Sequence, residues 1–265
     1  MVKTTCNAFP LSVIAFLLLW VLTMIALPIV GWTLGEAALR AGMSLGVLMQ
    51  FAAVNAALLT KWGWKRTCRI LFLVMGVAFL AEWLGSTSGF PFGKYHYTSL
   101  LQPQLAGVPL LIPLAWMMML PPAWAVAQTI LGEKSHPGGW KATLLAALAF
   151  TAWDLFLDPQ MTAWGFWIWE QPGAYFGIPL VNFGGWILVS GLITALVRPA
   201  NLPSQPLVLI YGVTWILQSI GLGIFWSQPA PALIGFGVMG LFVALAMRAW
   251  RSTAQAGKTI LAEQD

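Results

Sequence analysis

Residues 142–158 read ATLLAALAFTAWDLFLD, and residues 70–88 read ILFLVMGVAFLAEWLGSTS. Both are apolar runs of membrane-spanning character that carry acid: Asp154 and Asp158 in the first, Glu82 in the second. A chain in hydrocarbon must satisfy its own backbone polar groups, so runs of this kind are helices. An ionisable side chain within a spanning helix is costly to keep and is functional by default. These two stretches therefore decide the fold and point to where the chemistry lies.

The rest of the chain has the same character. It is 59% hydrophobic and only 8% charged, with a mean hydropathy of +0.81, whereas a soluble domain carries about 25% charged residues. Eight stretches are long enough to cross a core of about 30 Å: residues 9–31, 38–60, 70–88, 109–131, 142–158, 178–197, 207–226 and 230–248. The expected fold is an all-α polytopic membrane helix bundle of about eight transmembrane helices, a single integral-membrane domain over residues 1–265. The first stretch is too long for a signal h-region and lacks a small-x-small cleavage site, so it reads as a helix; a cleaved leader with seven helices is the alternative. The weakest boundary is Ser227 to Pro229.

Charge sets the expected orientation. Lys3, Lys61, Lys65, Arg66, Arg69, Lys134, Lys141, Arg198, Arg248, Arg251 and Lys258 fall on one side of an alternating eight-helix chain, and only Arg40 and Lys94 on the other. That asymmetry predicts a multi-pass protein of the cell membrane with both termini in the cytoplasm. The net charge of +5 then reports topology, and no nucleic-acid partner is expected. Cys6 and Cys68 fall on the reducing side, match no metal motif and read as structural.

The acids share a predicted depth. Glu82 is twelve residues beyond Ile70 and Asp154 twelve beyond Ala142, about 18 Å in each case. Asp158 lies one turn further out on the same face as Asp154, and Pro159 is expected to end that helix. An internal echo groups the segments: Gly107-Val-Pro-Leu-Leu-Ile-Pro-Leu-Ala-Trp116 resembles Gly177-Ile-Pro-Leu-Val-Asn-Phe-Gly-Gly-Trp186 at an offset of 70 residues. Helices 3–4 thus read as a parallel copy of helices 5–6, and repeats often place sites at their interface. The outer loops, residues 89–108 and 159–177, combine Gly and Pro with Tyr95, Tyr97, Trp164, Phe166, Trp167, Trp169 and Tyr175. Aromatics gather at interfaces as anchors, but backbone folded at depth must line a cavity or be buried in protein. These loops are expected to cap an aromatic pocket over the acids.

Several chemistries are excluded by residue type. The chain has two histidines, His96 and His136, too few for a histidine-rich di-iron centre, and it has no dinucleotide fingerprint, phosphate loop or nucleophile elbow. No metal and no cofactor are expected. Acid chemistry on an apolar substrate fits better. A carboxyl in an apolar chamber can retain a proton near neutral pH and deliver it as a general acid, and aromatic faces favour a developing cation. A second acid nearer the outer water could take a proton from attacking water, completing addition of water to an alkene.

At this point the motifs carry a resemblance. Glu82-x-x-Gly85-x-x-x-Gly89-x-Pro91-Phe92-Gly93-x-Tyr95-x-Tyr97, Gly107-Val-Pro109, Asp154-x-x-x-Asp158-Pro159, Gly165-x-Trp167-x-Trp169, Tyr175-x-Gly177-Ile-Pro179 and Asn182 together resemble the integral-membrane carotenoid hydratases, the group of gamma-carotene 1'-hydroxylase and bisanhydrobacterioruberin hydratase. The similarity covers roughly residues 70–190. It implies a cofactor-independent hydro-lyase of carotenoid biosynthesis, adding water across the terminal 1,2 (1',2') double bond of an acyclic carotenoid end of lycopene or gamma-carotene type to give a tertiary alcohol. The expected catalytic residues are Glu82 or Asp154 as proton donor and Asp158 as the group that orients or deprotonates water. Asn182 is expected to hold that water, with Tyr95, Tyr97, Trp116, Trp167, Trp169, Tyr175 and Trp186 around the substrate. Besides substrate, water and the lipid bilayer, other carotenoid-pathway enzymes are candidate partners. Two rivals remain: a membrane polyprenyl transferase, because Asp154-x-x-x-Asp158 has the look of a magnesium-diphosphate motif, and a proton-coupled lipid or small-molecule transporter.

Overall fold

The computed structural model describes residues 9–132 and 136–262, with side chains to residue 252. Lys3, Cys6 and Lys134, used above for topology and redox reading, lie outside the described residues, as does the side chain of Lys258. Seven helices among the described residues are long and apolar enough to cross a membrane. They are α1 (Leu11–Leu34), α2 (Glu36–Ser88), α3 (Leu111–Leu131), α4 (Trp140–Ala163), α5 (Leu180–Val197), α6 (Ser204–Ile220) taken with the turn that follows it to Phe225, and α7 (Pro229–Ala262), of which Pro229–Ser252 is the span.

The difference from eight lies in α2, whose 53 residues are interrupted at Gly63 (φ 68, ψ 172). Only glycine takes that conformation without strain. Gly63 divides α2 into residues 36–62 and 64–88, each about 40 Å long and sufficient for one pass. The loop expected between residues 60 and 70 is thus a one-residue turn. Lys61, Lys65, Arg66 and Arg69 can stay helical because their long stems carry the charge to the interface. The turn is anchored by Trp62 Nε1 and Arg66 Nη2, which donate to the Ala200 carbonyl at 2.8 and 3.0 Å.

α3 is the axis of the bundle. Every residue from Ala115 to Ala127 is buried, and α3 packs against α2, α4, α6 and α7. α4 does not stop at Pro159 but runs on to Ala163. Proline removes the donor that would reach the carbonyl four residues back, here that of Leu155. Tyr175 Oη donates to this carbonyl at 2.9 Å, which lets the helix continue. α6 passes into a π-turn, Gly221–Phe225, before the break at Ser227 (φ 55) that separates it from α7.

Two short ribbons close one end of the bundle. β1 (Tyr95–Tyr97) pairs antiparallel with β4 (Trp167–Trp169), and β2 (Gln104–Leu105) with β3 (Val108–Pro109). The duplication read from the sequence reappears in the backbone. Ala106-Gly107 and Phe176-Gly177 both take positive φ, as do Gly93 and Gly165. Leu105 bridges Val108 as Tyr175 bridges Ile178. The two copies meet directly: β1 lies against β4, Trp124 Nε1 donates to Thr194 Oγ1 at 2.8 Å, and Trp116 stacks on Trp186 with ring centroids 4.9 Å apart. The residue pairs Trp116/Trp186 and Trp124/Thr194 are each 70 apart in the chain. The second half of α2 with α3, and α4 with α5, therefore form a parallel repeat around a shared interface.

Candidate active site

Glu82 sits six residues before the end of α2, and Asp158 five before the end of α4, so both lie about 8–9 Å from the helix ends beside the ribbons. Glu82 is thus level with Asp158. Its match in depth with Asp154 relied on helix starts at Ile70 and Ala142, whereas the helices start at Trp64 and Trp140. Hydropathy drops at the basic cluster, but the helix does not end there.

Glu82 is 4% exposed and accepts three hydrogen bonds from neutral donors. Tyr95 Oη reaches Oε2 at 2.5 Å, Tyr97 Oη reaches Oε2 at 2.8 Å, and Trp116 Nε1 reaches Oε1 at 3.0 Å. Burial, and then the neighbouring Glu82 carboxyl, hold the Tyr95 and Tyr97 phenols well above their ordinary range, so both stay protonated as donors. Glycine makes the approach possible. A Cβ on Gly85, one turn beyond Glu82, would stand 2.6 Å from the Phe92 ring and 3.1 Å from Tyr95 Oη, and one on Gly185 would stand 2.7 Å from Phe92. Phe92 is wedged between two glycines and steers the loop that carries both tyrosines.

Opposite lies an aspartate pair. Asn182, in the first turn of α5, donates its Nδ2 to Asp154 Oδ2 at 2.9 Å and also to Asp158 Oδ2. The two carboxyls come within hydrogen-bonding range of each other, and Asp154 Oδ1 has no partner.

Glu82, Asp158 and Asn182 line one cavity of about 420 Å³, within the size range of small-molecule sites. Tyr95, Tyr97, Trp116, Trp167, Trp169 and Trp186 share its wall. Asp154 does not reach that wall; it is fully buried behind Asp158. Tyr175 also stands outside the cavity, its hydroxyl committed to the Leu155 carbonyl. Tyr175→Phe is expected to lower stability by about 1–3 kcal/mol, the cost of stranding a buried carbonyl, with substrate turnover retained. Thermal unfolding of the purified variant beside a product assay checks both halves.

The cavity also has walls that no motif announced. Trp153 contributes an indole, and Trp153 and Trp169 keep ring N–H groups without an acceptor. α1, the first half of α2 and the end of α6 complete the enclosure. Their contributions are mostly ordinary apolar side chains, with the amides of Gln50 and Gln218 among them, and carry no local signal of a site. The hydrogen-bond partners of all three acids are neutral, so the chamber combines buried acidity with aromatic faces.

Comparison with known proteins agrees with this setting. Residues 42–242 match the family described as carotenoid biosynthesis protein. A bisanhydrobacterioruberin hydratase from Haloarcula japonica is 31% identical over 173 residues, covering 60% of this chain and 58% of that protein. The aligned part is thus less than two thirds of that relative's length. No solved structure matches the chain. The matched region takes in both copies of the repeat and all three acids, and the chain belongs to the carotenoid biosynthesis protein family.

Proposed function

We propose that the protein adds water to the terminal double bond of an acyclic carotenoid end, with no cofactor. The observation that carries this reading is the placement of Glu82 and Asp158 on the wall of a chamber built mainly of indoles, phenols and apolar side chains, in which the other polar side chains are the neutral amides of Gln50, Gln160, Asn182 and Gln218. A relative named as a hydratase supports it.

In the proposed reaction the Asp154–Asp158 pair holds one proton between its carboxyls, since two carboxylates in contact repel. Asp158, which faces the chamber, delivers that proton to the less substituted alkene carbon. The π pair forms the new C–H bond and leaves a tertiary cation. The faces of Trp116 and Trp186 and the Glu82 carboxylate stabilise the positive charge. Water adds to the cation, its oxygen pair forming the C–O bond, and loses a proton to Glu82. Proton exchange across the chamber, from Glu82 back to the aspartate pair, restores the starting state. The net change is one molecule of water added. Asn182 orients the pair by bonding both members at once, and Tyr95 and Tyr97 hold Glu82 in place.

Topology follows from the same proposal. Arg66, Lys141, Arg198, Arg248 and Arg251 occupy the end of the bundle opposite the ribbons, which we place in the cytoplasm with both termini.

The test is isotopic. In membranes from a host that makes lycopene or gamma-carotene, the product is expected to gain one water, with its oxygen coming from labelled water. Label arriving from dioxygen would sink the proposal. Flux of unchanged substrate through proteoliposomes would favour a transporter, and magnesium-dependent release of diphosphate a prenyl transferase.

A further inference from the structure

Three residues on the chamber wall also present much of their surface to the outside: Ile25, Ile220 and Phe225. Ile25 belongs to α1, Ile220 ends α6, and Phe225 ends the π-turn. Their neighbours Leu22, Ile29, Ile216 and Ile224 are exposed and apolar as well. The chamber therefore opens sideways, between α1 and the end of α6, toward hydrocarbon. α1 packs along α2 and touches α6 only lightly. Near the outer end of the slot, the Trp32 ring meets Phe225 at 5.8 Å.

From this mouth the cavity extends along the first half of α2, past Met43 and Gly46 to Gln50. Gln50 is fourteen residues from the start of α2, about 21 Å below the outer end, whereas the acids lie about 8–9 Å below it. The arm thus descends from the acids to mid-membrane. Gly46 borders the arm where α1 comes close, since a Cβ there would stand 3.1 Å from Met24 Sδ. The blind end is polar and oriented. The Thr214 hydroxyl donates to the Ile210 carbonyl, so it accepts from Gln50 Nε2.

We propose that this slot between α1 and α6 is the lateral entrance and seat for the body of a linear polyene, one end of which reaches the acids. The identity of the reacting end rests on the hydration reading above; the slot itself rests on the mouth and the arm. A long conjugated hydrocarbon comes from the bilayer core, and the mouth faces that core. The antiparallel ribbon of β1 and β4 covers the acids from the aqueous side. A cavity of about 420 Å³ houses an end group, so the remaining chain lies in the slot and in lipid. A substrate with two reactive ends must leave and re-enter reversed, and the singly hydrated product accumulates before the doubly hydrated one.

A reversible plug tests the slot. Ile220→Cys is made in the full chain with Cys6→Ser and Cys68→Ser, reconstituted in nanodiscs, and modified with benzyl methanethiosulfonate. Lycopene is achiral, so visible circular dichroism induced on binding reports its occupancy of the chiral site. Modification is expected to weaken lycopene binding about tenfold or more, through loss of buried apolar contact, and dithiothreitol to restore it in the same folded sample. Binding that modification leaves unchanged overturns the slot. Binding that the plug removes, with no water added by the unmodified protein, keeps the slot and overturns hydration.

Discussion

Asp158→Asn is expected to suppress water addition by about 10²–10⁴-fold, the range a lost general acid costs, while the protein remains folded in the membrane. The fold should tolerate the change because the Asn side chain matches Asp in shape. Its carbonyl oxygen can accept the hydrogen bond that Asn182 Nδ2 now gives to Asp158. What disappears is the only proton carrier of the pair that lines the chamber. Asp154→Asn should lower product formation less steeply, since Asp154 lies behind the wall and acts through its neighbour. Product is read by mass spectrometry in a lycopene-producing host, normalised to protein in the membrane. Full activity in Asp158→Asn would remove that residue from the donor role, and a larger loss in Asp154→Asn would reverse the order assigned to the pair.

Glu82→Gln is expected to cost about 10²–10³-fold, comparable to removing a preorganised electrostatic group. This substitution separates charge from packing. The indole N–H of Trp116 can only donate, so it selects the amide oxygen at the Oε1 position. The amide NH₂ then faces the Tyr95 and Tyr97 hydroxyls, which can rotate to accept. Hydrogen bonding survives, and the negative charge beside the cation and the acceptor for the water proton are lost. Glu82→Ala would instead strand three buried donors and destabilise the protein as well. A Glu82→Gln variant with unchanged turnover and unchanged thermal stability would show Glu82 to be an inert hydrogen-bonding post.

How much of the site is legible in the chain differs residue by residue. Glu82, Asp154 and Asp158 stand out because any acid inside an apolar run does. Tyr95, Tyr97, Trp167 and Trp169 stand out because glycine and proline flank them in loops too aromatic for plain connectors. Trp116 and Trp186 are marked by the offset of 70 residues, and the structure stacks them. Trp153, Ile25, Gln50 and Ile220 carry no such mark. They lie in ordinary helix, and only the rotation of each helix about its axis turns them toward the chamber. Tyr175 shows the opposite case: it sits among motif residues, yet its hydroxyl serves the carbonyl that Pro159 leaves without a donor.

Taken alone, the order of residues determined an all-helical membrane protein, acids within its spans, a duplicated core and an aromatic cap. These follow from composition, run length and periodicity, which are properties of a line. Tertiary structure alone decided that Asp158 and not Asp154 meets the chamber, that Glu82 is level with Asp158, and that α1, the first half of α2 and the end of α6 contribute to the cavity wall. Those outcomes depend on where a helix truly begins and which face it turns inward. Packing against neighbours far away in the chain sets both, so hydropathy cannot report them.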